Sequence, residues 1–543
     1  MLGMMQPWPL TVDRILDHAA TRHARREVVT RSLEGPIVRT TYGEVRARAK
    51  RVSNLLLEMG VRPGDRIATL AWNTWRHLEV WYGIMGIGAV CHTLNPRLHP
   101  DQICWIINDA SDRVIFVDPQ FAPLLLSRRD KAPSVEQVVL LGAEGDIDPG
   151  LLENASAYEE LIAGQPEDCA WGGFGEETAC GLCYTSGTTG DPKGVLYSHR
   201  SNFLHTLMCL QPDVIGFSAS DVVLPVTPMY HANAWGVAFS APAVGAKLVM
   251  PGAKLDGASL HELLETEGVT VSCAVPTVWT GLLQYLDQAK TTLTTLKRVA
   301  IGGAACPEAI IRGFHDRYGV EVRHLWGMTE TSPVATAGAV SPELLARPFA
   351  EQLPVRLKQG RAPLFCELKI TDDQGRRLPE DGATFGRLKA RGPIVSAAYF
   401  KGVGGDILDD EGFFDTGDVA TIDPDGVMQI TDRAKDVIKS GGEWISSVEV
   451  ENLAASHPKA LIAAVIGVPH PKWDERPLLL VKLRPGESSS REEMLGHLEG
   501  RIAKWWTPDE VLFVDDIPLG ATGKIDKKAI RALYANYRLP GTG

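Results

Sequence analysis

The alternation of short apolar strands with helix-period segments constrains this chain most. Thr41-Tyr42-Gly43-Glu44 has the form of a helix capping box, and the apolar spacing after it runs to Gly60. The turn Arg62-Pro63-Gly64-Asp65 then leads into a strand at Ile67 to Leu70. A helix over about Trp75 to Met85 separates it from a second strand, Ala89 to Thr93, which Asn95-Pro96 stops. Strand, helix, strand in this rhythm predicts a parallel sheet covered by helices. The pattern recurs around Ala246 to Met250, Thr270 to Ala274 and Arg298 to Ile301. The expected class is α/β, with large parallel-type sheets and a smaller α+β unit behind them.

The smaller unit begins at a charged break, Asp432-Arg433-Ala434-Lys435-Asp436, followed by the glycine turn Ser440-Gly441-Gly442. After the break come a helix from about Ser447, strands near Leu461–Val468 and Leu478–Leu483, a helix over about Arg491–Ala503 and a last helix after Asp526. The expected division is therefore 1–432 and 433–543, joined by a short polar hinge.

Composition narrows the function. With 55 Lys and Arg against 67 Asp and Glu the net charge is −12, the wrong balance for a protein that coats nucleic acid. A small anionic ligand remains compatible, because backbone N–H groups can cradle phosphate on an acidic protein. Met1 to Leu10 lacks a basic segment followed by an apolar run, and Leu461 to Val468 is too short to cross a bilayer. A cytoplasmic location is expected, and the nine cysteines, scattered without paired spacing, agree with it. Cys180 and Cys183 read C-x-x-C, but on a strand residues three apart point to opposite faces, so neither a redox pair nor a zinc site is expected.

The chemistry concentrates in Tyr184-Thr185-Ser186-Gly187-Thr188-Thr189-Gly190-Asp191-Pro192-Lys193-Gly194, between an apolar strand at Ala179 to Cys183 and another at Val195 to Tyr197. Hydroxyl donors, flexible glycines and the Lys193 cation suit a triphosphate. It is not a Walker loop, since Pro192 stands where that pattern needs its second glycine and no Lys-Ser/Thr pair follows.

This segment resembles the phosphate loop of the AMP-forming adenylate enzymes: acyl-CoA synthetases, luciferases and peptide-synthetase adenylation domains. Other motifs of that family follow in its order over most of the chain. The resemblance implies an acid–CoA ligase that uses ATP, Mg²⁺ and coenzyme A. In it, Thr185, Ser186, Gly187, Thr188, Thr189, Gly190 and Lys193 hold phosphates. Trp326-Gly327-Met328-Thr329-Glu330 is similar to the adenine and magnesium motif. There Trp326 stacks on adenine without the phenolic hydroxyl of the commoner Tyr, Thr329 meets the α-phosphate, and Glu330 ligates Mg²⁺. Thr416-Gly417-Asp418 and Asp432-Arg433 resemble the two ribose elements, and Gly302-Gly303-Ala304-Ala305 the wall beside adenine and acyl carbonyl. Gly302 and Gly327 fall on the acyl side. Thr522-Gly523-Lys524-Ile525 resembles the C-terminal lysine loop, which makes Lys524 the catalytic cation, with Lys435 as the hinge residue.

For the acid, Met229-Tyr230-His231-Ala232-Asn233-Ala234-Trp235 resembles the H-x-N-x-W element of fatty acyl-CoA synthetases and 3-methylmercaptopropionate–CoA ligases. It implies that His231 meets the carboxylate and that Trp235 guards the pocket mouth. Lys439-Ser440-Gly441-Gly442-Glu443-Trp444-Ile445-Ser446-Ser447 matches the same subgroup, as a loop that lines the pantetheine channel once the small unit has turned. The texture is nearest the methylmercaptopropionate ligases, with medium- and long-chain fatty acids second. A catalytically inactive nucleotide and acid sensor is the rival of another class. Its small-molecule partners are the acid, ATP and CoA, and assembly as a homodimer is compatible with the sequence.

Overall fold

The computed structural model describes residues 1, 3–185, 191–440, 443–520 and 524–540, with backbone alone at Glu443 and Trp444. Ser186, Gly187, Thr188, Thr189, Gly190, Gly441 and Gly442 of the expected site lie outside these residues, as do Thr522 and Gly523.

Two large sheets carry most of the chain. The first has seven strands, ordered Ser156–Ala157, Gln137–Leu140, Val114–Val117, Arg66–Leu70, Val90–Thr93, Ala179–Thr185 and Lys193–Ser198. All its pairings are parallel except the last, which is antiparallel. The second has eight, ordered Val334–Ala337, Glu321–Gly327, Arg298–Ile301, Val271–Ala274, Val222–Pro225, Lys247–Met250, Glu27–Arg31 and Ile37–Thr41. It is parallel within and antiparallel at both edges.

Half of the expected capping box forms at helix Tyr42–Glu58. Thr41 Oγ1 accepts from the Glu44 N–H at 3.3 Å, while the Glu44 carboxylate accepts from the Thr41 hydroxyl at 3.0 Å. Helix Trp75–Gly86, capped by Thr74, is buried along its whole length because it lies inside the largest core cluster with residues of both large sheets. Such two-sided burial requires an apolar helix rather than an amphipathic one. Cys180 and Cys183 do point apart, one into that cluster and the other beside Val195 and Tyr197.

A third sheet departs from the parallel expectation. Glu367–Thr371, Phe385–Arg391, Phe414–Ile422 and Met428–Arg433 form a four-stranded antiparallel sheet. Phe385–Arg391 alternates half-buried and buried residues along its length, the mark of a sheet with one wetter face. Past Arg433 a turn at 434–436 leads to Ile438–Ser440, which belongs to the last sheet. That sheet is built on the long hairpin Ala460–His470 and Asp474–Leu483, with Glu510–Phe513 added in parallel. Helix Arg491–Leu498 ends five residues before the expected Ala503, and Gly500, with φ of 72°, turns the chain away. Helix Lys527–Leu533 starts at Asp526, whose carboxylate accepts from the Ala529 N–H at 3.0 Å. Among the described residues no helix is long and apolar enough to cross a membrane.

Candidate active site

Four parallel strands of the two large sheets end at one crevice: Ala179–Thr185, Val222–Pro225, Arg298–Ile301 and Glu321–Gly327. The phosphate-type loop, the His231 segment, the Gly302 wall and the Trp326 motif lie at or just past these ends. Open α/β sheets bind ligands at such carboxyl ends.

Both ends of the phosphate-type loop are fixed by sheet register, Tyr184 opposite Gly194 and Thr185 opposite Lys193. The Lys193 ammonium lies 4.8 Å from the ring centroid of Tyr399. At the far side of that ring the Tyr399 hydroxyl donates to Glu330 Oε1 at 2.7 Å. Glu330 is buried, and burial raises its carboxyl above the usual range while the Tyr399 hydroxyl pulls it back. The neighbouring Thr329 carbonyl accepts from the Tyr197 hydroxyl at 2.7 Å. Tyr197 and Tyr399 were not foreseen, because an isolated tyrosine on a strand or turn carries no pattern of its own.

Trp326 supplies a donor that the sequence comparison implied was lost. Its indole Nε1 donates to Asp418 Oδ2 at 2.8 Å, a buried bond across 92 positions. Arg433 Nε holds the other oxygen, Oδ1, at 2.8 Å. The Asp418 carboxylate is thus oriented from both sides, and Trp326 connects the adenine-type motif to it directly. Next to it, a β-carbon on Gly327 would sit 1.9 Å from the Pro333 carbonyl oxygen, so only glycine fits. The Met328 N–H donates to that same carbonyl at 3.1 Å.

Lys524 reaches this crevice from the small C-terminal sheet. A β-carbon on Gly303 would come within 3.4 Å of Lys524 Cε and 3.8 Å of Nζ, which places the lysine over Gly303. Burial, then the charge of Arg433, pulls the Lys524 amine down to about 8, with Asp418 opposing. His231 is held at about 4 by burial and, second, by Lys524. Lys524, His231, Gly303, Asp418 and Arg433 therefore share one electrostatic environment, in which His231 is a neutral imidazole.

The segment after His231 is strained. Ala232, Asn233, Ala234 and Trp235 have φ of 44°, 54°, 50° and 55°, a left-handed run of four non-glycine residues. Each costs about 1–2 kcal/mol. Buried bonds hold it, with Asn233 Nδ2 donating to Asn202 Oδ1 at 3.3 Å and the Thr227 hydroxyl to the Ala234 carbonyl at 3.4 Å. The result aims Trp235 at the crevice: its Cη2 lies 3.2 Å from where a Gly302 β-carbon would stand.

One expected ribose element divides. Arg433 joins Asp418, but the buried Asp432 carboxylate turns the other way, to the N-terminus of helix Ser447–Ala455. Asp432 Oδ2 accepts from the Ser447 N–H at 2.7 Å and from its hydroxyl at 2.5 Å. Lys527 Nζ, also bonded to the Ser447 hydroxyl, pairs with Glu451 at 3.0 Å. Alternate strand residues face opposite sides, so consecutive Asp432 and Arg433 cannot both meet one diol. Lys435 lies exposed in the turn at 434–436.

Phosphate-loop ends, a doubly held carboxylate and a lysine over a glycine wall define a nucleotide-handling enzyme of the α/β class. The chain belongs to the AMP-binding enzyme family: that family's model matches residues 16–400, and the model of the AMP-binding enzyme C-terminal domain matches 449–524. It is 50% identical over 531 residues to 3-methylmercaptopropionyl-CoA ligase of Ruegeria lacuscaerulensis, covering 98% of each chain. It is 47% identical to the medium-chain-fatty-acid–CoA ligase of Ectopseudomonas oleovorans, covering 99% of this chain and 98% of that one. Among solved structures, the anthranilate CoA ligase in complex with anthranoyl-AMP superposes with a TM-score of 0.87 at 25% identity, 98% of each chain being covered.

Proposed function

We propose that this enzyme is an AMP-forming acid–CoA ligase whose acid is 3-methylmercaptopropionate. The observation that carries the activity is Lys524 seated over Gly303 beside His231 and the Asp418–Arg433 pair. The 50% identity to a ligase of that name supports the choice of acid. A medium-chain fatty acid is the second reading, supported by the relative at 47%.

In the first half-reaction the substrate carboxylate attacks the α-phosphorus of ATP. A new C–O–P bond forms, the α–β anhydride breaks and pyrophosphate leaves. Lys524 neutralises the negative charge that builds between carboxylate and α-phosphate, and neutral His231 orients the carboxylate by a hydrogen bond. Asp418 accepts from the ribose hydroxyls, and Thr185, Lys193 and Thr329 hold phosphate. Positioning and electrostatics of this kind supply most of the rate in phosphoryl chemistry. Mg²⁺ is bound through one or two carboxylates together with substrate phosphates. Glu330 would provide such a carboxylate, and the metal would supply charge neutralisation on the phosphates.

For the second half-reaction the 433–543 part turns about Lys435, relative to 1–432. Lys524 withdraws and the segment Gly441, Gly442, Glu443 and Trp444 approaches as the pantetheine side. The CoA thiolate attacks the acyl carbonyl, a C–S bond forms, the acyl C–O bond to phosphate breaks and AMP leaves with that electron pair. Trp235 against Gly302 bounds the acyl pocket. The same reading places the enzyme in the cytoplasm, as a homodimer.

The test is release of pyrophosphate and AMP, with and without CoA, over acids from acetate to palmitate that include 3-methylmercaptopropionate. The highest kcat/KM is expected for the thioether acid; a maximum at octanoate or longer overturns that choice. Lys524→Ala is expected to abolish adenylation yet spare thioester formation from supplied acyl-adenylate. Equal loss of both would sink the division of labour.

A further inference from the structure

Tyr399 and Phe400 touch one end of the phosphate-type loop, Tyr399 also holds the Glu330 carboxylate, and Lys401 reaches the loop's other end through Asp109. Tyr399 stands between Lys193, 4.8 Å from its ring centroid, and Glu330, 2.7 Å from its hydroxyl. Phe400 packs behind the loop's end, its Cβ 3.0 Å from where a Gly194 β-carbon would lie. Lys401 Nζ bonds Asp109 Oδ1 at 3.2 Å, and Asp109 Oδ2 accepts from the Tyr184 hydroxyl at 2.5 Å, at the loop's other end. A φ of 59° at Lys401 lets three successive side chains diverge in this way.

Among the described residues, Tyr399 is the one side chain that donates to the Glu330 carboxylate. A buried carboxylate with a single donor is oriented by that donor, and partners of this kind set the affinity of carboxylates for metal. The cation on the ring face polarises the phenol, which strengthens its O–H as a donor.

We propose that Tyr399 is a positioning residue for the adenylation half-reaction, fixing the carboxylate of Glu330 for a divalent cation and registering it against Lys193 of the phosphate loop. This rests on the nucleotide role assigned to Glu330 and Lys193 above. Tyr399 touches no reacting atom. Its hydroxyl acts through Glu330, and its ring acts through Lys193.

The experiment is a double-mutant cycle on Mn²⁺ binding to the enzyme–ATP complex, read by electron paramagnetic resonance without any acid. Tyr399→Phe keeps the ring and removes the hydroxyl, and is expected to weaken Mn²⁺ about 10-fold or more. In a Glu330→Gln background the same change is expected to have no effect, because the partner is gone. Acyl-adenylate formation by Tyr399→Phe is expected to fall with Mn²⁺ affinity, while thioester formation from supplied acyl-adenylate stays within twofold. Tyr399→Leu, which also removes the ring from Lys193, is expected to raise KM for ATP further than Tyr399→Phe does. Unchanged Mn²⁺ affinity in Tyr399→Phe, or equal losses in the wild-type and Glu330→Gln backgrounds, would overturn the proposal. Failure of the wild-type protein to adenylate any acid would instead remove the proposed function, and the Mn²⁺ cycle would still decide the role of Tyr399.

Discussion

Seating Lys524 in the crevice is costly, and the cost makes a pH signature. Its amine drops from 10.5 to about 8, through burial first and the Arg433 charge second. At 1.36 kcal/mol per pKa unit, that disfavours the charged form by roughly 3 kcal/mol relative to a lysine in water. The direction follows from proton binding. Between pH 8 and about 10.4 the seated lysine has lost its proton while a lysine turned out to solvent keeps it. The seated arrangement therefore gains relative stability as pH rises through that window, yet it seats a neutral amine that cannot neutralise the reacting anions. Adenylation should fall with an alkaline limb near pH 8 in kcat/KM, which reports the free enzyme. Bound ATP and carboxylate add negative charge beside Nζ, so the limb in kcat should lie at higher pH. His231, at about 4, stays neutral throughout and contributes no limb. The assay is single-turnover acyl-adenylate formation without CoA from pH 6.5 to 10, which excludes titration of the CoA thiol. Lys524→Arg, charged over this whole range, should be slower but without the limb. An identical alkaline limb in Lys524→Arg, or a flat wild-type profile to pH 10, would refute the reasoning.

Other contacts give further outcomes. Trp326→Phe keeps an aromatic face but strips a buried donor from Asp418, so KM for ATP should rise by about 10-fold or more, as expected for a lost bond to a charged group; a change under twofold in steady-state kinetics would count against it. Gly327→Ala places a β-carbon on the Pro333 carbonyl oxygen and should yield little folded protein, measured by soluble yield and Tm. Asp432→Asn loosens the hold on Ser447, so acid-dependent pyrophosphate exchange should drop several-fold while thioester formation from acyl-adenylate is preserved. Limited proteolysis near Lys435 should accelerate in that variant, and an unchanged cleavage rate would argue against a lock there.

Local patterns carried the strands, caps and motif positions because each is written in neighbouring residues. Arg298–Ile301 appears at its expected bounds, and the Thr41 cap sits where its spacing put it. The antiparallel sheet of Phe385–Arg391 and its partners stayed hidden because its pairing joins distant segments and is not written in neighbouring residues. Within the crevice the residue types were legible and their partners were not. A tryptophan in place of tyrosine looked like a lost hydroxyl, whereas the folded chain brings Asp418 to the indole N–H. Likewise Asp432 and Arg433 read as one element, but strand alternation sends one carboxylate to Ser447 and the neighbouring guanidinium to Asp418.

That split at Asp432 links the fold to the two-step cycle. Asp432 precedes Lys435, whereas Ser447 and Lys527 follow it, so the rotation about Lys435 proposed above would break the Asp432–Ser447 bonds. Those bonds exist while Lys524 sits over Gly303. The carboxylate thus grips the N-terminus of helix Ser447–Ala455 in the arrangement that seats Lys524 over Gly303, with the helix dipole adding to the grip. Burial raises the Asp432 carboxyl above its usual range, and the Lys527 charge and the Ser447 bonds pull it part of the way back. In the proposed cycle this hold would give way once pyrophosphate departs with the negative charge that favours a seated, charged Lys524.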